Sequence, residues 1–234
     1  MSTQIKDHSL LEQKINLNFA NKENLQMALV HRSYHNENKH FQLPSNEKLE
    51  FLGDSVLSLV TSVHLYTQYP EYNEGDYTDM KAAIVNTKSL YEASKQLDLG
   101  AFLYLSKGEQ ENNGRENMSI LADAFEALLG AIYLEFGYDV AYTFVKDFLF
   151  KDVLDSIIKN KLYLPAKNLL QEYYQEHFKR LPEYIVIDET GPEHDKVYQS
   201  GVYDGDKLLA TGTGKSKKQA EESAAYEALH KLGI

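Results

Sequence analysis

Asn46-Glu47-Lys48-Leu49-Glu50-Phe51-Leu52-Gly53-Asp54-Ser55-Val56-Leu57-Ser58-Leu59-Val60 decides the fold. Wound as a helix at about 100° per residue, it sets Leu49, Leu52, Val56, Leu59, Val60 and, one turn on, Val63 on one broad stripe, the face expected to meet a core. Glu47, Glu50 and Asp54 follow an i, i+3, i+7 spacing and lie within about 60° of one another on the opposite side. Three stacked carboxylates repel one another, and only Lys48 is interspersed among them. Phe51 falls off the apolar stripe, free to meet something other than the chain's own core.

Two readings of the acidic face stand side by side. Charge runs usually face water, so one is an ordinary solvated helix surface. The other is a divalent-metal site, because Mg²⁺ takes hard oxygen ligands from carboxylates, waters and substrate phosphates. Beyond the residue chemistry, Asn46 to Ser55 closely resembles the signature motif of the ribonuclease III family of double-stranded RNA endonucleases, a match that favours the metal.

The whole chain bounds these readings. Its 234 residues fit one large or two ordinary domains. With no cysteine, a disulfide, thiolate metal site or cysteine nucleophile is excluded, which suits a reducing cytoplasm. The first residues lack the apolar run of a signal peptide, and no stretch has the length of a membrane span, so a soluble cytoplasmic protein is expected. The net charge of −11 argues against nucleic acid if taken as an average. From residue 163 onward, however, 9 Lys and Arg face 12 Asp and Glu, a difference of only −3, so most of the excess lies in the first part. Acids gathered to hold a metal would produce that distribution.

Helical periodicity covers His8 to Ile15 and Lys22 to Val30, and His31-Arg32-Ser33-Tyr34 follows. The same tetrapeptide pattern occurs in the resembled family; His31 is read as a structural hydrogen-bonding residue. After Tyr69-Pro70, Glu71 to Asp76 reads as a loop turning at Gly75, and Thr78 to Leu97 as one helix. Gly100 to Leu105 reads as a short connection and Lys107 to Arg115 as a mobile loop. That loop is similar to a glycine-rich one in the family, with Glu116-Asn117 standing where many members carry basic residues. Ser119 to Leu134 is the second strong motif. Asp123 and Glu126 share a face of a helix rich in small residues, Ala122, Ala124, Ala127, Gly130 and Ala131. Ionised carboxylates on such a closely packed helix demand a partner or a metal. Asp139 to Asp152 adds an amphipathic helix.

The chain then changes character. Ala166 to Lys179 is helical, Glu183 to Asp188, Val197 to Tyr203 and Lys207 to Thr211 are strand-like with a turn at Gly205, and Ser216 to Leu232 is a helix opened by a Ser216–Gln219 capping box. Lys217 and Lys218 occupy the first turn of that last helix, with Lys215 just before it. Cations are unfavourable at a helix N-terminus by a few tenths to about 1 kcal/mol each, unless an anion docks there. Asn168, Gln171 and Gln175 share one face of the earlier helix, while Leu169, Leu170 and Tyr173 turn inward. Amides can address the 2′-hydroxyls and base edges of an A-form minor groove, although a merely polar face is the commoner meaning. Gly191 to Lys196 and Gly212 to Glu221 together resemble the double-stranded-RNA-binding domain family.

The two resemblances imply an all-α endonuclease domain, 1–155, a linker, 156–162, and an α+β domain of order α-β-β-β-α, 163–234, that binds double-stranded RNA. They imply Glu50, Asp54, Asp123 and Glu126 as metal ligands for Mg²⁺, with Mn²⁺ able to substitute, Asp54 and Glu126 as catalytic, and Glu47 and Glu74 as accessory acids near the scissile phosphate. No organic cofactor is implied. Gln171 and Gln175 would meet one minor groove, His194 the next, and Lys215, Lys217 and Lys218 the phosphates between. The products would carry 5′-phosphate and 3′-hydroxyl ends, and the substrates would include ribosomal RNA precursors and other structured transcripts. A homodimer would cut both strands, with Phe51 a dimer contact. The competing expectation is a non-catalytic RNA-binding or ribosome-associated protein that kept the fold; all six matching acids are present, which weighs against it.

Overall fold

The computed structural model describes residues 8–233 except 152–153, 155–156, 159–160, 162 and 193–194. The chain divides into two compact units, Met1–Tyr163 and Leu164–Ile234. Among the described residues no helix is long and apolar enough to cross a membrane.

The first unit is helical: α1 (Ser9–Ile15), α2 (Lys22–Ala28), α3 (Tyr34–Glu37), α4 (Glu47–Gln68), α5 (Glu74–Ile84), α6 (Thr87–Gln96), α7 (Leu99–Phe102), α8 (Lys107–Glu111), α9 (Met118–Phe136) and α10 (Tyr138–Val145), the last running into a π-helical turn at Lys146–Phe150. α9 is the axle. Ala122, Ala124, Phe125, Ala127, Leu128, Leu129, Gly130, Ala131 and Ile132 are all buried, and α2, α4, α6 and α10 pack around it. A helix apolar nearly all round must be wrapped in this way.

α9 meets α4 at backbone distance. A Cβ added at Gly53 would lie 1.8 Å from the carbonyl oxygen of Glu126, and one at Gly130 would lie 2.3 Å from the carbonyl oxygen of Leu49. This contact corrects the expected stripe of α4. Leu49, Val56 and Val60 are buried as read, but the buried side also takes Gly53, Leu57, Thr61, His64 and Leu65. Leu52 is half-buried, and Leu59 and Val63 are exposed. The helix is turned toward its glycine because only there can α9 approach closely, and a hydrophobic template gives glycine no weight.

Two loop readings and one helix reading are corrected as well. Residues 74 and 75 belong to α5, whose start is fixed by a capping box: Asn73 Oδ1 accepts from Asp76 N, and Asp76 Oδ2 accepts from Asn73 N. The helix expected over 78–97 breaks at Val85, and Asn86 restarts it by accepting from Ser89 N. Residues 107–116 are ordered into α8 and a 3₁₀ turn at Gly114–Glu116, because Arg115 Nη1 donates to the carbonyls of Gly100 (2.6 Å) and Leu103 (3.1 Å).

In the second unit α11 (Ala166–Phe178), β1 (Glu183–Thr190), β2 (Val197–Asp204), β3 (Lys207–Gly214) and α12 (Lys217–Leu232) give the expected order. The sheet is antiparallel, β1-β2-β3, with register shifts at Val186/Asp188 and Val202/Tyr203. Leu170 and Tyr174 of α11, Val202 and Ala210 of the sheet, and Ala224, Ala225, Ala228 and Leu229 of α12 form its core.

Candidate metal centre and nucleic-acid interface

The acids of the two helical motifs meet where the glycine contact brings the backbones together. Glu50 on α4 and Asp123 and Glu126 on α9 offer carboxylate oxygens that all lie within 4.8 Å of one another, and all three residues are half-buried. Asn117 sets the α9 pair in place from below: its side chain accepts from Ser119 N (3.0 Å) and Ile120 N (3.2 Å), starting the helix one turn before Asp123. Asn117 is thus the cap of the helix that carries Asp123 and Glu126.

Burial raises the proton affinity of all three carboxyls, and repulsion from neighbouring carboxylates adds to the rise at Glu50 and Glu126. Glu126 is pushed up to about 7, first by desolvation and then by Asp54, Asp123 and Glu50. Glu50 and Asp123 are raised chiefly by burial; Asp123 and Glu47 push Glu50 further, while Arg32 pulls against the rise at both and His31 at Asp123. Such a group is poorly balanced without a cation. A hard divalent ion fits it, since it bonds carboxylate oxygens and removes the repulsion.

The other sequence-derived acids are placed differently. Asp54 is exposed and outside the three-residue cluster, but close enough for its charge to raise Glu126. Glu47 is exposed at the margin, accepting from Ser45 Oγ at 2.7 Å with Arg32 Nη1 at 4.0 Å. Glu74 opens α5 and lines a groove with Ser62, Val63, Tyr66, Tyr77 and Lys81. Those α4 residues lie 12 to 16 positions beyond Glu50, about 18–24 Å along the helix, so Glu74 does not join the cluster within one chain. Phe51 is 78% exposed; Leu59 at 52% and Tyr66 at 72% continue an apolar strip on the same side of α4. His31 is held by the fold: its Nδ1 lies 2.8 Å from Ser33 Oγ and accepts from Ser33 N at 3.3 Å.

In the second unit, Asn168, Gln171 and Gln175 line one shallow groove on α11, as their spacing predicts, together with Glu172, Glu176, Lys179 and Leu181. Lys215, Lys217 and Lys218 are exposed at the start of α12, where Ser216 Oγ accepts from Gln219 N. Gln219 reaches back to Lys215 N (3.0 Å), one residue earlier than a capping box would have it. β3 positions this helix start through glycine, since a Cβ at Gly212 would lie 2.1 Å from Ala224 N and one at Gly214 would lie 2.6 Å from Ala220 N. Acids restrain two of the lysines. Lys215 pairs with Asp195, and Glu189 takes both Lys217 (3.6 Å) and Lys196 (3.4 Å). His194 lies outside the described residues.

Sequence reasoning took Gly130 as one of the small residues that let its helix pack closely, but passed over Gly53 as the counterpart on α4, and over Arg32 and Glu189. The glycines carried a signal, small residues in the same segments as the acids. The ion-paired residues carried none, because their partners are distant in sequence.

Comparison with known proteins agrees with both halves. Residues 21–153 match the family model described as ribonuclease-III-like, and residues 166–232 match the double-stranded RNA binding motif. Ribonuclease 3 of Caldanaerobacter subterraneus subsp. tengcongensis is 45% identical over 96% of this chain and 97% of its own length. Ribonuclease 3 of Myxococcus xanthus is 44% identical over 95% of this chain and 85% of its own. Among solved structures, the nuclease domain of ribonuclease III from Campylobacter jejuni, described as flexible in a region involved in dimer formation, aligns with a TM-score of 0.58 at 39% identity. It covers 62% of this chain and 98% of that one.

Proposed function

The chain belongs to the ribonuclease III family, and from that membership and the geometry of its acids we propose that it is an endoribonuclease that hydrolyses phosphodiester bonds of double-stranded RNA, leaving 5′-phosphate and 3′-hydroxyl ends. The observation that carries the reading is the convergence of Glu50, Asp123 and Glu126 within 4.8 Å on two helices locked at Gly53. Mg²⁺, or Mn²⁺ in its place, is the cofactor we assign to them, with Asp54 at the rim. A bound divalent ion supplies an acidified water and charge neutralisation at the phosphoryl oxygens. The chain's own residues hold that charge in place, exclude water from one side of it, and provide no side-chain nucleophile. The second unit grips the duplex through the Asn168, Gln171 and Gln175 face, with Lys215, Lys217 and Lys218 on the phosphates and His194 in the β1–β2 connection.

We infer a homodimer that pairs the exposed side of α4 with a second copy. Antiparallel pairing about the middle of α4 would carry Glu74, beside residues 62–66 of one copy, toward the Glu50 end of the other. That gives Glu74 a place near the cut that it lacks within one chain. We propose that the chain processes ribosomal RNA precursors and other structured transcripts in the cytoplasm, as its family membership suggests. The non-catalytic alternative has no observation in its favour, since every acid it would have shed is present.

The test is Glu126→Gln assayed on a long RNA duplex. It removes a charge and keeps the size, so the fold is retained, and duplex affinity holds or rises as a negative charge leaves the neighbourhood of phosphates. Cleavage in Mg²⁺ falls by about 10²-fold or more, because each lost 1.36 kcal/mol of transition-state stabilisation is a factor of ten. Cutting at a near wild-type rate in saturating Mg²⁺ would show that these acids are not the metal site.

A further inference from the structure

Five carboxylates, Glu47, Glu50, Asp54, Asp123 and Glu126, stand at or beside the centre, and the substrate is a polyanion. The charge of a divalent ion held at the cluster would be matched by the carboxylates that hold it. The phosphates on either side of the cut need cations from the chain. Two cations of this unit are committed elsewhere: Arg115 to backbone carbonyls and to Gln110 Oε1 (3.1 Å), and Lys81 to Ser58 Oγ (3.0 Å) on the middle of α4.

Arg32 is placed otherwise. Its side chain is 74% exposed, and its ion pair with Glu47, at 4.0 Å, is at the outer limit of such contacts. An exposed pair of that kind is worth about 0–1 kcal/mol, and Glu47 already has Ser45 Oγ to orient it. Glu47 lies one turn before Glu50, so the guanidinium stands about a helical turn from the cluster, and its field reaches both Glu50 and Asp123. It also borders a polar recess with His31, Ser33, Asn36, Glu109 and Ile120, the last one turn before Asp123. Ser33 Oγ accepts from Ser106 N (3.1 Å), and His31 Nδ1 accepts from Ser33. The neutral ring therefore keeps its proton on Nε2, a further donor beside the recess.

We propose that Arg32 is a substrate-binding residue, whose guanidinium leaves Glu47 to grip the RNA backbone phosphate adjoining the one at the carboxylate cluster. The forked donors of arginine suit a phosphate in two-point contact, and exchanging a 4.0 Å pair for that contact costs little. The proposal rests on the reading that Glu50, Asp123 and Glu126 form the cutting centre.

Arg32→Gln and Arg32→Lys test it in the full-length chain. With a long duplex in Mg²⁺, Arg32→Gln raises KM about tenfold while kcat stays within a few-fold, the loss of one charge-assisted contact. Binding is followed against salt in a Glu126→Gln background that cannot cut. There the added Arg32→Gln makes the slope of log affinity against log salt shallower by about 0.9, one phosphate contact. Arg32→Lys restores the slope and only part of the KM. An unchanged KM and slope in Arg32→Gln overturns the proposal. So does an Arg32→Gln effect that vanishes in Glu47→Gln, since the arginine would then act only by positioning Glu47. Failure of the underlying reading looks different: Glu126→Gln alone would cut at the wild-type rate.

Discussion

At the scale of single residues, Glu126 shows why the centre is held in tension. Its carboxyl takes up a proton with a pKa of about 7 in the folded chain, against 4.5 for the free side chain. The folded state thus binds a proton more tightly than the unfolded one, and stability falls as pH rises from about 4.5 to 7. Above that window the full repulsion with Asp54, Asp123 and Glu50 is present. At pH 8 without divalent ions, Glu126→Gln is expected to melt above the wild type, by about 2–4 °C per kcal/mol of relieved repulsion in a unit of this size. The gap closes toward pH 5. Mg²⁺ at pH 8 raises the wild-type melting temperature and barely moves that of the variant, and a scanning fluorimetry series in pH and Mg²⁺ checks both. The same proton competes with the metal, so cleavage declines as pH drops below about 7. Helical spacing put Glu47, Glu50 and Asp54 on one face and Asp123 with Glu126 on another, which a solvated surface would also do, and only the resemblance to the ribonuclease III motifs singled these acids out as ligands. Their grading was not legible in the sequence: Asp54 stands at the rim and Glu74 is remote, and such distances depend on the angle between helices.

At the scale of elements, the joint between α4 and α9 turns two separate acidic faces into one cluster. Gly53 is the point where it can be tested. Its missing Cβ makes room for the Glu126 carbonyl oxygen at what would be 1.8 Å, and a backbone carbonyl inside a packed helix cannot swing aside. Gly53→Ala must therefore push the helices apart, costing about 3 kcal/mol or more. Because the displaced group is the backbone of Glu126, a proposed metal ligand, cleavage is expected to be lost along with stability. Gly108→Ala is the control: it sits in α8 with open space where the methyl would go, so it is neutral or stabilises by up to about 1 kcal/mol. Urea unfolding of the two variants gives the comparison, and equal stability would remove the close contact as the basis of the site. The existence of α4, α9 and the strands was readable from periodicity. The rotation of α4, the break at Val85 and the order in residues 107–116 were not. They come from a glycine, from Asn86 as a cap and from Arg115 bonding carbonyls distant in sequence, none of which has a hydrophobic period.

At the scale of the molecule, the surface of α4 is what one chain leaves unfinished. Phe51, Leu59 and Tyr66 are each more than half exposed along one side of a helix whose other side is fully packed, and Val63 extends the strip. Exposing such a run to water forfeits about 25 cal/mol for every Å² of apolar surface, and contiguous patches of this kind mark association surfaces. Association through a single helix side must be two-fold, because the patch has to be its own complement. The wild-type chain is therefore expected to sediment at micromolar concentration with twice the mass of one chain. Phe51→Asp with Tyr66→Asp puts charges at both ends of the strip, where two-fold pairing would bring each against the other copy's opposite end. That variant should keep its helical content, since neither side chain belongs to the core, and sediment as a single chain. Duplex binding by the second unit persists. Coupled cutting of the two strands disappears, because among the described residues one chain offers a single three-carboxylate cluster and its own Glu74 lies about 18–24 Å along α4 from it. A double variant that still sediments at twice the chain mass would exclude this side of α4 as the interface, and would leave Glu74 with no route to the cut.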